Sequence, residues 1–258
     1  MDVLACIKRV PDTGAKIVLT DDQRGIDASN LGYTMSPHEE CAIEEAVQQA
    51  QEHDGTVRVL TLGPEDAVEQ LRTGLAMQAN EASLLQTDGE EWAPRETAGA
   101  IAAAVRDQGN GEGVGVDLLL FGNESADQAN YQVPVRVAAD LDIPCVTGVK
   151  DLTIEDGTAI AKREISGGEE VYTVDLPAVI SVKEGINEPR YPSMRAKMQA
   201  RQTEVHRIEP TREHGPGRFD MIQLEAPAED DSEAEILGEG PAAVDAVVEV
   251  LREELEVI

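Results

Sequence analysis

The turn that follows the apolar run 117–121 has the composition of a phosphate-binding loop. The run ends at Gly122, small polar residues occupy 123–127, and a helical pattern is predicted from about Asn130 to Leu141. A strand-to-helix turn of this kind directs free backbone N–H groups at a bound phosphate. The turn holds neither G-x-G-x-x-G nor a P-loop lysine, so this pattern alone leaves nucleotide binding and an ordinary connecting turn both open.

A second group of polar residues begins a helix at Ser36-Pro37-His38-Glu39. Serine at the N-cap, proline at the first helical position and glutamate at the third predict a capping box with a preorganised entry. In an open α/β sheet, ligands bind outside the carboxyl ends of the strands, where the loops 6–9, 63–64 and 122–131 are predicted to lie. The first turn of the helix, with His38, is expected to line that site.

The residue types needed for self-sufficient catalysis are not grouped in the sequence. The four histidines are isolated, the three cysteines form no C-x-x-C pair, and no G-x-S-x-G serine occurs. This scatter predicts no metal site, no disulfide framework and no complete active site. The expected role is binding or carrying rather than hydrolysis.

The segment 182–195 leaves a buried strand, holds two prolines, and presents Tyr191 and Met194. Basic residues surround them, although the chain as a whole is acidic: Lys183, Arg190, Arg195, Lys197 and Arg201. An apolar side chain on a projecting loop, ringed by polar residues, is typical of an interaction anchor. A solvated loop that joins the sheet to the C-terminal arm is the alternative.

The charge is strongly unbalanced, with 51 acidic residues against 21 basic ones and a formal net charge of -30. Such a polyanion repels nucleic acid, so no nucleic-acid partner is expected. The acids form either a partner-binding face or an adaptation to high salt, and their spread along the chain favours the halophilic interpretation. The sequence has no apolar run of about 18 residues and no signal-peptide core, which predicts a cytoplasmic protein that is not itself a membrane protein.

The hydrophobic pattern alternates between short apolar runs and helical stretches. Strands are predicted at 3–7, 57–62, 82–85, 117–121, 145–149 and 177–182, and helices at 36–50, 65–77, 94–107 and 130–141. Strands that alternate with helices predict an α/β fold with a doubly wound, mostly parallel, Rossmann-like sheet.

Less regular stretches flank this pattern. Two hairpins with turns at Asp156-Gly157 and Gly167-Gly168 are predicted to extend one edge of the sheet as an antiparallel excursion over 150–176, and an edge hairpin is expected within 12–34. The core pattern is lost beyond residue 190, and residues 208–236 are expected to form a poorly structured acidic arm.

The chain ends with apolar residues at helical spacing: Ala243, Ala246, Val247, Val250, Leu251 and Leu255. They predict an amphipathic helix that packs either on its own domain or on a partner subunit. The resulting division is a nucleotide-binding domain, 1–190, and a recognition loop with a C-terminal arm, 191–258.

Six blocks of the chain, in order, resemble the electron-transfer flavoprotein β-subunit (small-subunit) family. They are ACIKRVPD, MSPHEECAIEEAV, LRTGLAM, DLLLFGNESADQANYQVPVRVAADLDIP, KREISGGEE and VKEGINEPRYPSM. The resemblance implies a heterodimer with a larger α subunit that makes most of the contacts to FAD, while this subunit holds a structural AMP. It also implies an electron carrier that accepts electrons from dehydrogenases, typically acyl-CoA dehydrogenases of fatty acid oxidation, and passes them to a quinone oxidoreductase.

The resemblance further implies site residues. The AMP contacts would be Cys6, Ser36, Pro37, His38, Glu39, Leu62, Asp127, Gln128, Ala129, Asn130, Tyr131, Gln132, Val133, Pro134, Val135, Arg136, Val137 and Ala138. Glu164 would approach the flavin side of the subunit interface, and Met194, near Tyr191, would anchor the loop in the dehydrogenase.

The nucleotide loop departs from the family pattern at Pro134-Val135, where Gly-Pro is usual. Proline lacks a backbone N–H, so one potential phosphate donor is lost. Two alternatives stay open: a bifurcating flavoprotein whose β subunit binds a second FAD in place of AMP, and a stand-alone nucleotide sensor of the universal-stress-protein kind.

Overall fold

The computed structural model describes residues 1–109, 113–211, 222–227 and 236–258. Two units are distinguished: Met1–Val18 with Ile26–Met221, and Leu19–Gly25 with Ile222–Ile258. The larger unit holds the sheet and the candidate site. Much of the acidic arm predicted over 208–236 lies outside the described residues.

The described residues form twelve strands in three sheets. In chain order they are β1 (Asp2–Ile7), β2 (Val10–Pro11), β3 (Tyr33–Thr34), β4 (Thr56–Gly63), β5 (Glu81–Gln86), β6 (Leu118–Gly122), β7 (Cys145–Val149), β8 (Asp151–Glu155), β9 (Thr158–Ile165), β10 (Gly168–Asp175), β11 (Ala178–Val182) and β12 (His206–Ile208). The helices are α1 (Pro37–Glu52), α2 (Val68–Ala76), α3 (Pro94–Gln108), α4 (Val133–Leu141), α5 (Met194–Gln202) and α6 (Val244–Glu249), which continues into a π-helical turn, Val250–Glu254. None of the helices in the described ranges is long and apolar enough to cross a membrane.

The main sheet has seven parallel strands in the order β12-β5-β4-β1-β6-β11-β7. The chain leaves β1 for β4 and β5 on one side, then returns through α3 to β6 on the other side of β1. The strand order therefore reverses between β1 and β6, and a ligand crevice is expected at their carboxyl ends. The predicted doubly wound parallel sheet is confirmed.

Alternate residues of β1 belong to cores on opposite faces of the sheet. Val3, Ala5 and Ile7 pack in the core that includes α1 and α2, whereas Leu4 and Cys6 pack in the core that includes α3 and α4. A strand covered on both faces must be apolar throughout, which is why the apolar runs were recognisable in the sequence.

The antiparallel strands over 150–176 form a sheet of their own, with the order β10-β9-β8. The prediction that they extend one edge of the main sheet is therefore wrong. The turn at Asp156-Gly157 was placed correctly, because both residues adopt positive φ (49° and 78°) as a two-residue hairpin requires. The second turn lies one residue earlier than predicted, at Ser166-Gly167, and Gly168 already belongs to β10. Local periodicity identifies a hairpin but does not specify which strand lies beside it.

Regular structure continues beyond residue 190, where the core pattern was expected to stop. Helix α5 buries Ala200, and Arg72 Nη1 of α2 donates to the Ala200 carbonyl at 2.6 Å. Strand β12 pairs with β5 and becomes the edge of the main sheet. The hairpin expected within 12–34 is not among the three sheets of the described residues: β3 lies in that range, but it pairs with β2, which precedes it.

Candidate functional site

The switch point between β1 and β6 brings the first strand end and the nucleotide-loop candidate together. Lys8, directly after β1, donates from Nζ to both Asp127 oxygens, at 2.8 and 2.7 Å. It also donates to Gln128 Oε1 at 3.2 Å. The Asp127 pKa is lowered: burial raises it, but hydrogen bonds from Lys8, Ser125 and the Gln128 N–H, together with the Lys8 charge, outweigh that effect. This ion pair fixes the loop after Gly122 over the carboxyl end of β1.

The first turn of α1 supplies the second wall. The buried Glu39 carboxylate accepts hydrogen bonds from the Lys8 N–H at 2.9 Å and from the Ser36 N–H and Oγ at 2.8 Å each. The Glu39 side chain thus forms its half of the predicted capping box. Burial raises the pKa of Glu39 to about 7, although these donors and the Lys8 charge act in the opposite direction.

Gly122 allows α1 and β6 to approach closely. A Cβ at this position would lie 2.8 Å from Glu39 Cγ, 3.0 Å from Glu39 N and 3.1 Å from His38 Cβ. Real Cβ atoms do not come so close to other carbon atoms, so a side chain at Gly122 would displace the start of the helix. The glycine that ends the apolar run is therefore required by this contact.

His38 joins two loops at the same edge. Its Nδ1 accepts the Glu184 N–H at 2.8 Å, and its Nε2 lies 3.3 Å from Glu124 Oε1. Tyr131 hydrogen-bonds to the same Glu124 carboxylate, which raises the Tyr131 pKa. Ser36 Oγ lies 3.3 Å from the Glu124 carbonyl. Glu124 is therefore central to the cluster, although the resemblance did not point to it.

The helix that follows the loop begins at Val133, three residues later than predicted. Ala129 and Tyr131 have positive φ (46° and 55°), so the chain turns through the left-handed region before α4 starts. The first N–H groups of a helix have no acceptor within it, which leaves those of Val133 and Val135 free of intrahelical bonds. Pro134 between them has no N–H.

Arg136 follows in the same turn. Its Nε and Nη2 donate to Gln132 Oε1 at 3.1 and 2.9 Å. A guanidinium and free N–H groups at one helix end attract anions. The residues present therefore fit a phosphate at the start of α4, with one backbone donor fewer than the family pattern supplies.

The remaining predicted nucleotide contacts are distributed around this cluster. Cys6 is buried beneath it, with its side chain in the α3 and α4 core. Leu62 is the residue after Thr61, which pairs with Ile7, so it lies at the same carboxyl edge. Val137 and Ala138 are buried in the core, so any contact from them to a ligand would come from the backbone. Pro37 is the first residue of α1, and Asn130 donates to Gln128 Oε1 at 3.1 Å.

Two predicted interaction features lie elsewhere. Glu164 is exposed on β9, opposite Glu169 of β10. Tyr191 and Met194 are 89% and 75% exposed, and Met198, one helical turn further, is 61% exposed. Lys197 Nζ lies 4.6 Å from the centre of the Tyr191 ring. Met198 was missed because α5 itself was not predicted.

Lys8 was also missed as a site residue. Its sequence signal is its place immediately after an apolar strand, in one of the three loops assigned to the ligand edge. In the described ranges, no group of three or more His, Cys, Asp or Glu side chains could hold a metal ion.

Comparison with known proteins identifies the family of this chain. The profile of the electron transfer flavoprotein domain matches residues 25–213. The chain belongs to the electron transfer flavoprotein family. It is 31% identical, over the whole of both chains, to the electron transfer flavoprotein subunit beta of Bacillus subtilis.

Other relatives match over most of their length. The subunit beta of Mycobacterium bovis is 37% identical over 79% of this chain and 77% of its own. The caffeyl-CoA reductase–Etf complex subunit CarD of Acetobacterium woodii is 36% identical over 78% of this chain and 75% of its own. These matches favour a flavoprotein subunit over a stand-alone sensor.

Proposed function

We propose that this chain is the β subunit of a heterodimeric electron-transfer flavoprotein. Its α subunit would make most of the contacts to FAD, and the complex would carry electrons from acyl-CoA-type dehydrogenases to a quinone oxidoreductase. The observation that supports the proposal is the Lys8–Asp127–Glu39 cluster, in which three segments that resemble the family's motifs meet at the switch point of the sheet. The chain is a carrier rather than a self-sufficient enzyme.

AMP is the proposed ligand of this subunit. Val133, Val135 and Arg136 would hold its phosphate at the start of α4, and the first turn of α1 would form the opposite wall. Asp127 is already paired with the Lys8 ammonium, and the Glu39 oxygens already have hydrogen-bond donors before a phosphate arrives. The role of this site is structural, because it orders the loop 123–132 against α1.

FAD belongs chiefly to the α subunit in this proposal. When bound, the flavin supplies one-electron and two-electron redox chemistry. This chain contributes position: the exposed edge of β9 with Glu164 would face the flavin side of the interface. The exposed apolar residues of the C-terminal helix, Val244, Val247 and Leu255, would dock on the α subunit.

The dehydrogenase would bind the exposed face of α5 together with Tyr191, which lies three residues before the helix. Tyr191, Met194 and Met198 offer apolar contacts in a stretch, 189–203, that contains four basic residues and no acidic one. In a chain of net charge -30 this is a favourable site for approach by another acidic protein. Met194 is the proposed central anchor.

The acidic surface supports adaptation to high salt, and we propose that the protein works in the cytoplasm. Carboxylates spread along the whole chain repel one another, and dissolved ions screen that repulsion. This proposal concerns the environment of the protein and is independent of its ligand.

A bifurcating flavoprotein is the second candidate. The favouring observation is the similarity to CarD, whose name places it in a caffeyl-CoA reductase–Etf complex. In that case a second FAD would take the place proposed for AMP.

Co-expression with a candidate α subunit tests the proposal. The two chains should purify as a one-to-one complex with a flavin absorbance spectrum, and catalytic amounts of an acyl-CoA dehydrogenase with its substrate should bleach that spectrum. This chain expressed alone is the control and should not be bleached. Failure to form a complex, or a flavin that no dehydrogenase reduces, would contradict the proposed function.

A further inference from the structure

Residues of α1 make hydrogen bonds to the segment 184–190, which leads into the recognition helix α5. Each turn of α1 from His38 to Glu45 makes a polar contact with residues 184–190, which lie about 146 positions further along the chain. The two sequence blocks MSPHEECAIEEAV and VKEGINEPRYPSM are therefore direct neighbours.

The strongest of these contacts joins Glu44 and Arg190. Arg190 Nε and Nη2 donate to the two Glu44 oxygens at 2.7 and 2.9 Å, and the Arg190 backbone N–H donates to Oε2 at 3.1 Å. Gln48 adds a fourth donor at 2.8 Å. The Glu44 side chain is only 5% exposed, so its charge depends on these partners.

Asn187 makes the second contact. Its Nδ2 donates to Glu45 Oε2 at 3.0 Å and to the Cys41 carbonyl at 3.1 Å. Glu45 is buried and also accepts from Gln49 Nε2 at 2.8 Å. Main-chain and side-chain positions of the segment are thus both fixed on α1.

Only three residues separate Arg190 from Met194, and one of them is Pro192. Proline fixes its φ angle, so one of the backbone rotations between Arg190 and the start of α5 is removed. Ser193 then caps α5 by accepting the Ala196 N–H at 3.2 Å. At its other end α5 is fixed by the bond from Arg72 to the Ala200 carbonyl.

We propose that Glu44 and Arg190 are positioning residues for partner recognition: their bidentate pair sets the orientation of Tyr191 and Met194 before the dehydrogenase binds. This inference rests on the proposed function for the identity of the partner. Preorganisation of an anchor raises apparent affinity, because a competent conformation that is fully populated requires no ordering on binding. Neither residue is among the proposed nucleotide or flavin-side contacts, so changes to the pair should leave the chemistry unchanged.

The test substitutes Arg190→Lys in the purified heterodimer. Lysine keeps the charge but loses the planar fork that matches the carboxylate. Arg207→Lys is the matched control, because Arg207 forms an exposed fork with Glu65 away from α1. Two measurements are made on each protein. One is amide hydrogen exchange of residues 191–202, and the other is the kcat and KM of the dehydrogenase with the heterodimer as its electron acceptor.

Arg190→Lys should speed exchange over 191–202 and raise KM about tenfold, with kcat within about twofold, as expected when roughly a tenth of the molecules are competent. Arg207→Lys should change neither. Glu44→Gln should reproduce the Arg190→Lys result, whereas Met194→Ala should raise KM without faster exchange over 191–202.

Unchanged exchange over 191–202 in Arg190→Lys would overturn the proposal whatever the protein's function. Faster exchange with an unchanged KM would overturn the recognition role of the pair. A wild-type heterodimer that no dehydrogenase reduces would refute the proposed function instead, and the exchange measurement would still decide whether the pair orders α5.

Discussion

The Lys8 ammonium lies 2.7 Å from Asp127 Oδ2, across 119 positions of sequence. This ion pair connects the end of the central strand β1 to the loop that leads into α4. Because the same Lys8 also donates its backbone N–H to Glu39, one residue connects both walls of the candidate nucleotide site.

Lys8→Met should weaken nucleotide retention. Asp127 would lose its cation, and a charge-assisted bond contributes about 1.5–3 kcal/mol, so nucleotide affinity should fall at least about tenfold. The measurement is the fraction of nucleotide left after extended dialysis of the heterodimer. Lys162→Met, which removes an ion pair with Asp151 on the separate antiparallel sheet, is the control and should retain nucleotide fully. Equal retention by the two variants would refute this role.

Gly122→Ala should destabilise the chain. The added methyl would press on Glu39 and His38 at the start of α1, and overpacking of this kind costs about 1–3 kcal/mol. Gly99→Ala is the control and should change stability in the opposite direction, since a Cβ at that helical position meets nothing within 4 Å. It should stabilise by about 0.5–1 kcal/mol. Urea unfolding measures both, and equal midpoints would contradict the close approach.

Glu39 should make stability depend on pH. Its pKa rises from 4.5 to about 7 on folding, so the folded chain binds the proton more tightly than the unfolded chain. The resulting stabilisation is complete below about pH 4.5 and is lost as the pH rises through 7. The stability of the wild type relative to Glu39→Gln should therefore fall between pH 5 and pH 8. Urea unfolding of both proteins at fixed salt measures this difference, and a difference that stays constant would contradict the raised pKa.

Salt should stabilise the protein strongly. With a net charge of -30, self-repulsion opposes the compact state, and the screening length shortens from about 10 Å at 0.1 M salt to about 3 Å at 1 M. Circular dichroism melting should show a higher Tm in molar salt and partial loss of structure in dilute buffer. The same Tm at both concentrations would count against the halophilic interpretation.

The sequence was most informative where burial imposes a local pattern. Three features were predicted correctly: the continuous apolar runs of β1 and β6, the start of α1 at Ser36, and the hairpin turn at Asp156-Gly157. Each is specified by neighbouring residues, because a doubly covered strand, a capping box and a positive-φ turn restrict the local residue types.

What the sequence left out depends on contacts between distant segments. Helix α5 was missed because Ala200 is its one buried residue and its methionines are exposed, and β12 was missed because it is only three residues long. The pairing of Glu44 with Arg190 spans 146 positions. No local pattern distinguishes such a carboxylate from the many exposed ones in a chain with 51 acidic residues.

Nucleotide analysis of the purified heterodimer tests the account most directly. The complex is denatured, the released nucleotides are separated by chromatography, and each is counted per heterodimer. The account predicts one FAD and one AMP, with the AMP lost preferentially in Lys8→Met. Two FAD and no AMP would contradict the proposed electron carrier and identify a bifurcating component instead.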